Sequence, residues 1–152
     1  MLVSEIVNRK GKNVLTVKED SIVFDTVKRL DDTRNGAMLV INNDEQLVGI
    51  ISERDILYKC YNSGKALTES IVKNLMTSAE KMIVGKMDDT AIYLMHAMID
   101  KGIRHIPILE DDEIVSIISI EDVLRAVLET TESEAKLLRE YIRNPFGVHT
   151  YK

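Results

Sequence analysis

The chain has 152 residues, 45% of them hydrophobic and 30% charged, a balance that fits neither a disordered chain nor a membrane protein. No apolar run approaches the ~18 residues that a spanning helix needs. The net charge of −5 lies wholly in the second half: residues 1–66 hold ten Lys/Arg and ten Asp/Glu, and residues 67–152 hold ten and fifteen. That distribution argues against a duplex nucleic-acid binder, and five Tyr, two Phe and no Trp leave few stacking platforms for single strands.

In chain order, the start at Met1 has no basic flank before its short apolar patch, so it does not read as a secretory signal; a soluble cytoplasmic protein is expected. Residues 14–17 form a β-rich run, and Asp20-Ser21 provides a polar start for a helix carrying Val23, Val27 and Leu30. Strands are predicted at 37–41 and 47–51, joined by the polar turn 42–46. Ser52 then opens a second helix, which ends near Cys60. A single cysteine excludes an intramolecular disulfide, and its place in the pattern is that of a helix-face thiol. A second pass follows: a strand at 82–84, a cap at Asp89-Thr90, a helix with Ile92, Met95 and Ile99, strands at 106–109 and 114–118, and a helix from Ser119. The order is β-α-β-β-α, twice. Pro107 fits a strand only at an edge or an irregularity, which predicts that 106–109 begins beside a cleft. The last helical pattern runs to Ile142, with Asn144-Pro145 as its stop and a tail from Phe146. Its apolar residues suit either a helix covering the domain's own edge or a dimer-forming arm.

The two passes are one unit duplicated. Residues 47–57 return at 114–124 with six of eleven positions identical, among them Ser52/Ser119 and Asp55/Asp122. Upstream, Val3 pairs with Val72, Asp20 with Asp89 and Leu39 with Ile108 at a spacing of 69; downstream the spacing is 67. The two residues are lost in the polar turn between paired strands, where a hairpin tolerates a length change. The units are set at 1–66 and 67–130, with 131–152 a helical extension and tail.

Both copies carry Ser-x-x-Asp directly after an apolar strand, Ser52 to Asp55 and Ser119 to Asp122. As an N-cap with an acidic N3 residue this needs no ligand; alternatively, a helix N-terminus with a carboxylate can hold a ribose diol or an anionic group. Arg104-His105 precedes the buried strand of the second unit, and Arg suits phosphate oxygens. The first unit has Asn35 at the place of Arg104. No nucleophile elbow, phosphate loop or metalloprotease motif is present, and His96, His105 and His149 lack metal-ligand spacing, so neither a catalytic cofactor nor a metal is expected.

Together, the duplicated unit, residues 49–55, 103–108 and 116–122 resemble a tandem pair of CBS domains, the Bateman module, over nearly the whole chain. The acidic terminal helix is similar to the extension of small stand-alone CBS-pair proteins. The resemblance implies an α/β (α+β) fold in which two units pack through their sheets about a pseudo-twofold axis and leave two clefts. It further implies a non-catalytic regulatory module for energy sensing and signal transduction that binds AMP, ADP, ATP, NAD(H) or S-adenosylmethionine. Such a module works as a homodimer or dimer of dimers and acts on a regulated partner the sequence does not name. The alternative is a scaffold with degenerate sites. Carried over by position, the main site joins Ser119, Asp122 and Arg104 to Val14, Gly36, Ala37 and Met38, with Arg54 facing the same phosphate. The second joins Ser52 and Asp55 to His105, Ile106 and Ile83. The second site is expected to have Asn35 and Glu121 where the first has Arg104 and Arg54, so the Asp122 site is predicted to bind phosphate more tightly.

Overall fold

The computed structural model describes residues 1–144; the predicted tail lies outside them. Two small sheets carry the fold. The first has the order β1 (Thr16–Lys18), β2 (Ala37–Ile41), β3 (Leu47–Ser52), β4 (Thr77–Ser78), and the second β5 (Gly85–Lys86), β6 (His105–Glu110), β7 (Glu113–Ser119). β1 runs parallel to β2 and β5 parallel to β6, a pairing that requires a crossover. The crossovers are α2 (Val23–Thr33) and α5 (Ala91–Lys101). The hairpins β2–β3 and β6–β7 are antiparallel, with register shifts one and two residues, respectively, before their turns. The shorter turn places Asp111 and Asp112 both in the left-handed region, as a tight two-residue hairpin demands. α3 (Glu53–Ser63) and α6 (Ile120–Arg143) follow the two hairpins, so the expected β-α-β-β-α order holds in both halves.

Two local expectations are corrected. The strand predicted at 82–84 is instead Gly85–Lys86, which keeps the spacing of 69 from Thr16 and Val17. The apolar residues before it follow a 3-10 turn, and Met82 packs between the sheets rather than joining a ladder. Asp20-Ser21 does not cap α2: the N-cap is Ile22, with no side-chain bond, and Val23 N–H donates instead to the Ser70 carbonyl at 2.9 Å. In the second half Thr90 caps α5 as expected, its Oγ1 accepting from Tyr93 N–H at 3.2 Å.

Two helices were not anticipated, and they exchange places. α1 (Val3–Lys10) buries Val3, Ile6 and Val7 in the second half's core, with Leu94, Met98, Ile106, Ile108 and Ile118. α4 (Val72–Leu75) buries Val72 and Leu75 in the first half's core, with Met38, Val40, Ile51 and Ile56. Backbone bonds fasten each segment across: Val3 N–H to Asp89 O at 2.8 Å, and Val72 N–H to Ser21 O at 3.0 Å. A third cluster joins the sheets, with Ala37, Leu39 and Ile50 packed against Val14, Met82, Ile114 and Ile117. α6 is one continuous helix of 24 residues, about 36 Å long, and only Val123 and Ala126 of it are buried. Its first turns cover the second core. Leu137, Leu138, Tyr141 and Ile142 stand 60–72% exposed beyond it.

Candidate functional site

The mouths of α3 and α6 are built alike. Ser52 Oγ accepts from Asp55 N–H at 3.2 Å, while Asp55 Oδ2 accepts from Ser52 N–H and from its hydroxyl, both at 3.0 Å. Ser119 and Asp122 repeat this at 3.2, 2.9 and 2.9 Å. The capping reading of Ser-x-x-Asp is therefore real in both copies. The cap also fixes each carboxylate at a helix N-terminus, where a diol or anion is favoured.

Two depressions lie between the halves. The smaller, about 280 Å³, holds Ser52, Asp55, Ile83 and His105 of the expected second site, together with Thr77, Tyr58, Lys59 and Lys81. That volume falls just short of the usual range for small-ligand pockets. Pro107 lines it too, one position before the β5 pairing begins, where β6 has no parallel partner and the missing N–H costs nothing. The larger, about 1220 Å³, holds Ser119, Gly36, Ala37 and Arg104 of the expected main site, with Lys10, Asn35, Glu53 and Glu121. Much of its wall is the groove between α2 and α3, so its size does not reflect a convergence of polar groups.

Several expected site residues are elsewhere. Arg54 belongs to the Asp55 hollow, not the Asp122 side: its Nη1 donates to Gly102 O at 3.0 Å and its guanidinium lies 5.7 Å from the Tyr58 ring centre. Arg104 borders both depressions. Met38 and Ile106 are buried in the helical cores, because strand alternation turns them away from the sides that Ala37 and His105 present. Val14 packs between the sheets and lines neither depression. Asp122 is not on the wall of the larger cleft, although Lys10, which binds it, is.

The charge inventory is accordingly transposed. The Asp55 hollow carries Arg54, Lys59, Lys81 and Arg104 against Asp55 alone. The larger cleft carries Lys10, Arg34, Lys65 and Arg104 against Asp31, Glu53 and Glu121. Among the described residues, the side chains of Lys81 and Arg104 make no hydrogen bond or ion pair, while Lys59 is tied to Asp55 Oδ1 at 2.9 Å. Thr77 Oγ1 donates to the same oxygen at 3.4 Å. Lys59 was legible as an i,i+4 partner of Asp55; Lys81, Thr77 and Lys10 arrive through tertiary structure and had no local signal.

His105 stands between the depressions and lines both. Burial pushes its imidazole below the ordinary value, against the pull of Glu53, so it is held neutral more readily than a free histidine. A Cβ on Gly36 would lie 2.6 Å from His105 Nε2, so only glycine permits this approach. Burial pushes the Asp122 carboxyl up, but hydrogen bonds from Lys10 and Ser119 outweigh it and the group titrates below the ordinary value. No group of three or more His, Cys, Asp or Glu suited to a metal occurs among the described residues, and no described helix is long and apolar enough to cross a membrane.

This geometry has close counterparts. The CBS domain family matches the chain twice, over residues 3–62 and 72–129. The mitochondrial CBS domain-containing protein CBSX3 of Arabidopsis thaliana is 33% identical over 150 residues, covering 95% of this chain and 73% of that protein. The crystal structure of the CBS-domain protein ATU1752 from Agrobacterium tumefaciens superposes with a TM-score of 0.76 at 30% identity, over 82% of this chain and 92% of the other. PAE2072 from Pyrobaculum aerophilum, solved in complex with AMP, shares the fold at a TM-score of 0.66 and 22% identity, over 80% and 89% of the two chains.

Proposed function

The chain belongs to the CBS-domain family, and on that premise we propose that it is a non-catalytic regulatory module whose Asp55 hollow binds an adenosine compound bearing phosphate. AMP, ADP, ATP and NAD(H) are the candidates. The observation that carries this reading is the hollow itself. A carboxylate fixed at a helix mouth suits the ribose hydroxyls, and Arg54, Arg104 and Lys81 on the same wall suit phosphate. The AMP complex of the Pyrobaculum protein supports the ligand class. Because the hollow takes Ile83, Ile103 and Arg104 from one repeat and Ser52 and Asp55 from the other, a ligand there bridges the repeats and biases their arrangement. Thermal unfolding tests the reading: a ligand at a hundredfold its dissociation constant adds about 2.7 kcal/mol of stability. A clear rise in Tm with AMP, ADP, ATP or NADH is expected, and no shift with any of them overturns it.

The module is proposed to work as a homodimer. Supporting this, Leu57, Tyr61, Ile99 and Leu128 are exposed on the helices of both halves, and the end of α6 carries apolar side chains that no described residue covers. Light scattering at micromolar concentration is expected to give twice the 17.2 kDa chain mass, and truncation after Val127 to weaken self-association while keeping a cooperative unfolding transition. A monomer under all nucleotide conditions overturns the dimer. The same exposed faces favour a second reading, a scaffold working through protein association; a dimer that shows no nucleotide shift decides for it.

A further inference from the structure

The Asp55 and Asp122 sites each hold a lysine on the carboxylate, but the lysines come from different places. Lys59 is four residues along α3 from Asp55, on the same helix. At Asp122 that helical position is Ala126, and the ammonium comes from α1: Lys10 Nζ lies 2.6 Å from Asp122 Oδ2, with both side chains partly buried. We propose that Lys10 is an internal occupant of the Asp122 site, so that a ligand with a vicinal diol and the docked end of α1 compete for one carboxylate. The inference rests on the proposed adenosine binding and extends it to the other site.

The hydrogen-bond inventory of Asp122 makes the competition specific. Oδ2 already accepts three donors: Ser119 N–H, the Ser119 hydroxyl and Lys10 Nζ. A carboxylate oxygen has room for about two strong donors, so Oδ2 is already full and a diol that uses both oxygens reaches it only by displacing a donor. The two Ser119 donors hold the α6 cap. The lysine is the one that can go. Its departure does not stay local, because Lys10 ends α1 and Gly11, at φ 95°, turns the chain toward β1 of the other half. Without it, the last turn of α1 keeps the exposed Arg9–Glu129 pair at 2.6 Å, with the Lys12–Glu110 pair beyond the glycine. Binding at Asp122 thus loosens the end of α1, whereas binding at Asp55 asks only for a side-chain rotation within α3.

The test uses the full chain with Asp55→Asn, which leaves Asp122 as the only diol site, and adenosine, which has no phosphate for a lysine to attract. Adding Lys10→Met is expected to tighten adenosine binding about tenfold by calorimetry, with Lys10→Gln as a second variant should methionine fail to fold. In the chain that keeps Lys10, adenosine is expected to speed amide hydrogen exchange in the last turn of α1, including Gly11 N–H, which donates to Val7 O at 2.7 Å. Both lysine variants should show that faster exchange before ligand is added. Unchanged or weaker adenosine binding on removing Lys10 overturns the competition while leaving the adenosine reading intact. If neither form binds adenosine, the competition falls because Asp122 holds no diol; the nucleotide shift of the unaltered protein then reports separately on the reading for Asp55.

Discussion

Asp55→Ala is expected to weaken binding of ADP or ATP by about a hundredfold or more, whereas Asp122→Ala leaves most of it. The expected loss is chemical first. Two charge-assisted hydrogen bonds from a ribose diol to a fixed carboxylate are each worth roughly 1.5–3 kcal/mol, and about 1.4 kcal/mol is tenfold in affinity. It is then electrostatic: the Asp55 hollow has four cations to one anion, and the larger cleft has four to three. Phosphate in the larger cleft meets Glu53 and Glu121, each repelling it by an amount on the order of 1 kcal/mol in a solvated groove. Arg104→Ala should therefore cost AMP about tenfold and adenosine little, since the side chain reaches only phosphate. Asp55→Asn is the companion that keeps the side-chain shape, because Asp55 also closes the α3 cap and its removal costs about 1 kcal/mol of stability on its own. Calorimetric titration of the four variants decides. Equal losses from Asp55→Ala and Asp122→Ala, or a larger loss from Asp122→Ala, overturn the assignment of phosphate to the Asp55 hollow.

This order of affinity is the reverse of the one the sequence alone predicts. Pairing the repeats by position identified Arg54, Arg104, Asn35 and Glu121 as the residues that make the sites unequal. What it lacked was the side of the sheet on which each residue meets its partner. Arg54 follows Ser52 by two residues and so stays with its own helix mouth, and Arg104 precedes a strand whose outward residues, His105 and Pro107, face the Asp55 hollow. The fold was legible because duplication and period-2 alternation are local signals: the hairpins, the caps at Ser52 and Ser119 and the edge position of Pro107 all follow from them. The exchange of α1 and α4 was not. Val3 and Val72 matched at the spacing of 69, but a short amphipathic stretch does not say which core it completes; that is decided by the backbone bonds to Asp89 and Ser21. Lys10 and Thr77 entered the sites by the same route, carried in by segments that cross between the halves.

Gly49→Ala is expected to destabilise the protein by about 1–3 kcal/mol and to weaken the Asp55 site with it. Gly49 and Ser116 occupy the same place in the two repeats, and the structure explains why one must be glycine. β4 lies against β3, pairing Gly49 with Ser78, so a Cβ on Gly49 would stand 2.4 Å from the Thr77 carbonyl oxygen and 2.9 Å from Met76 Sδ. The methionine can move; the backbone oxygen of a paired strand cannot without breaking the pairing. β7 has no such neighbour, since the second sheet ends there, and a side chain fits at Ser116. It is fully buried, however, and its hydroxyl has no hydrogen-bond partner among the described residues. Ser116→Ala should therefore stabilise by about 1 kcal/mol, opposite in sign to Gly49→Ala. Denaturant unfolding of both variants checks the pair, and a Gly49→Ala protein as stable as the parent overturns the close-approach argument. The effect reaches the site because β4 carries Thr77, whose hydroxyl donates to Asp55. Pushing β4 away removes that donor and opens one wall of the hollow, so the variant should lose ADP affinity even where it remains folded. The Asp122 site, which has α1 and Lys10 where the other has β4 and Thr77, should be untouched.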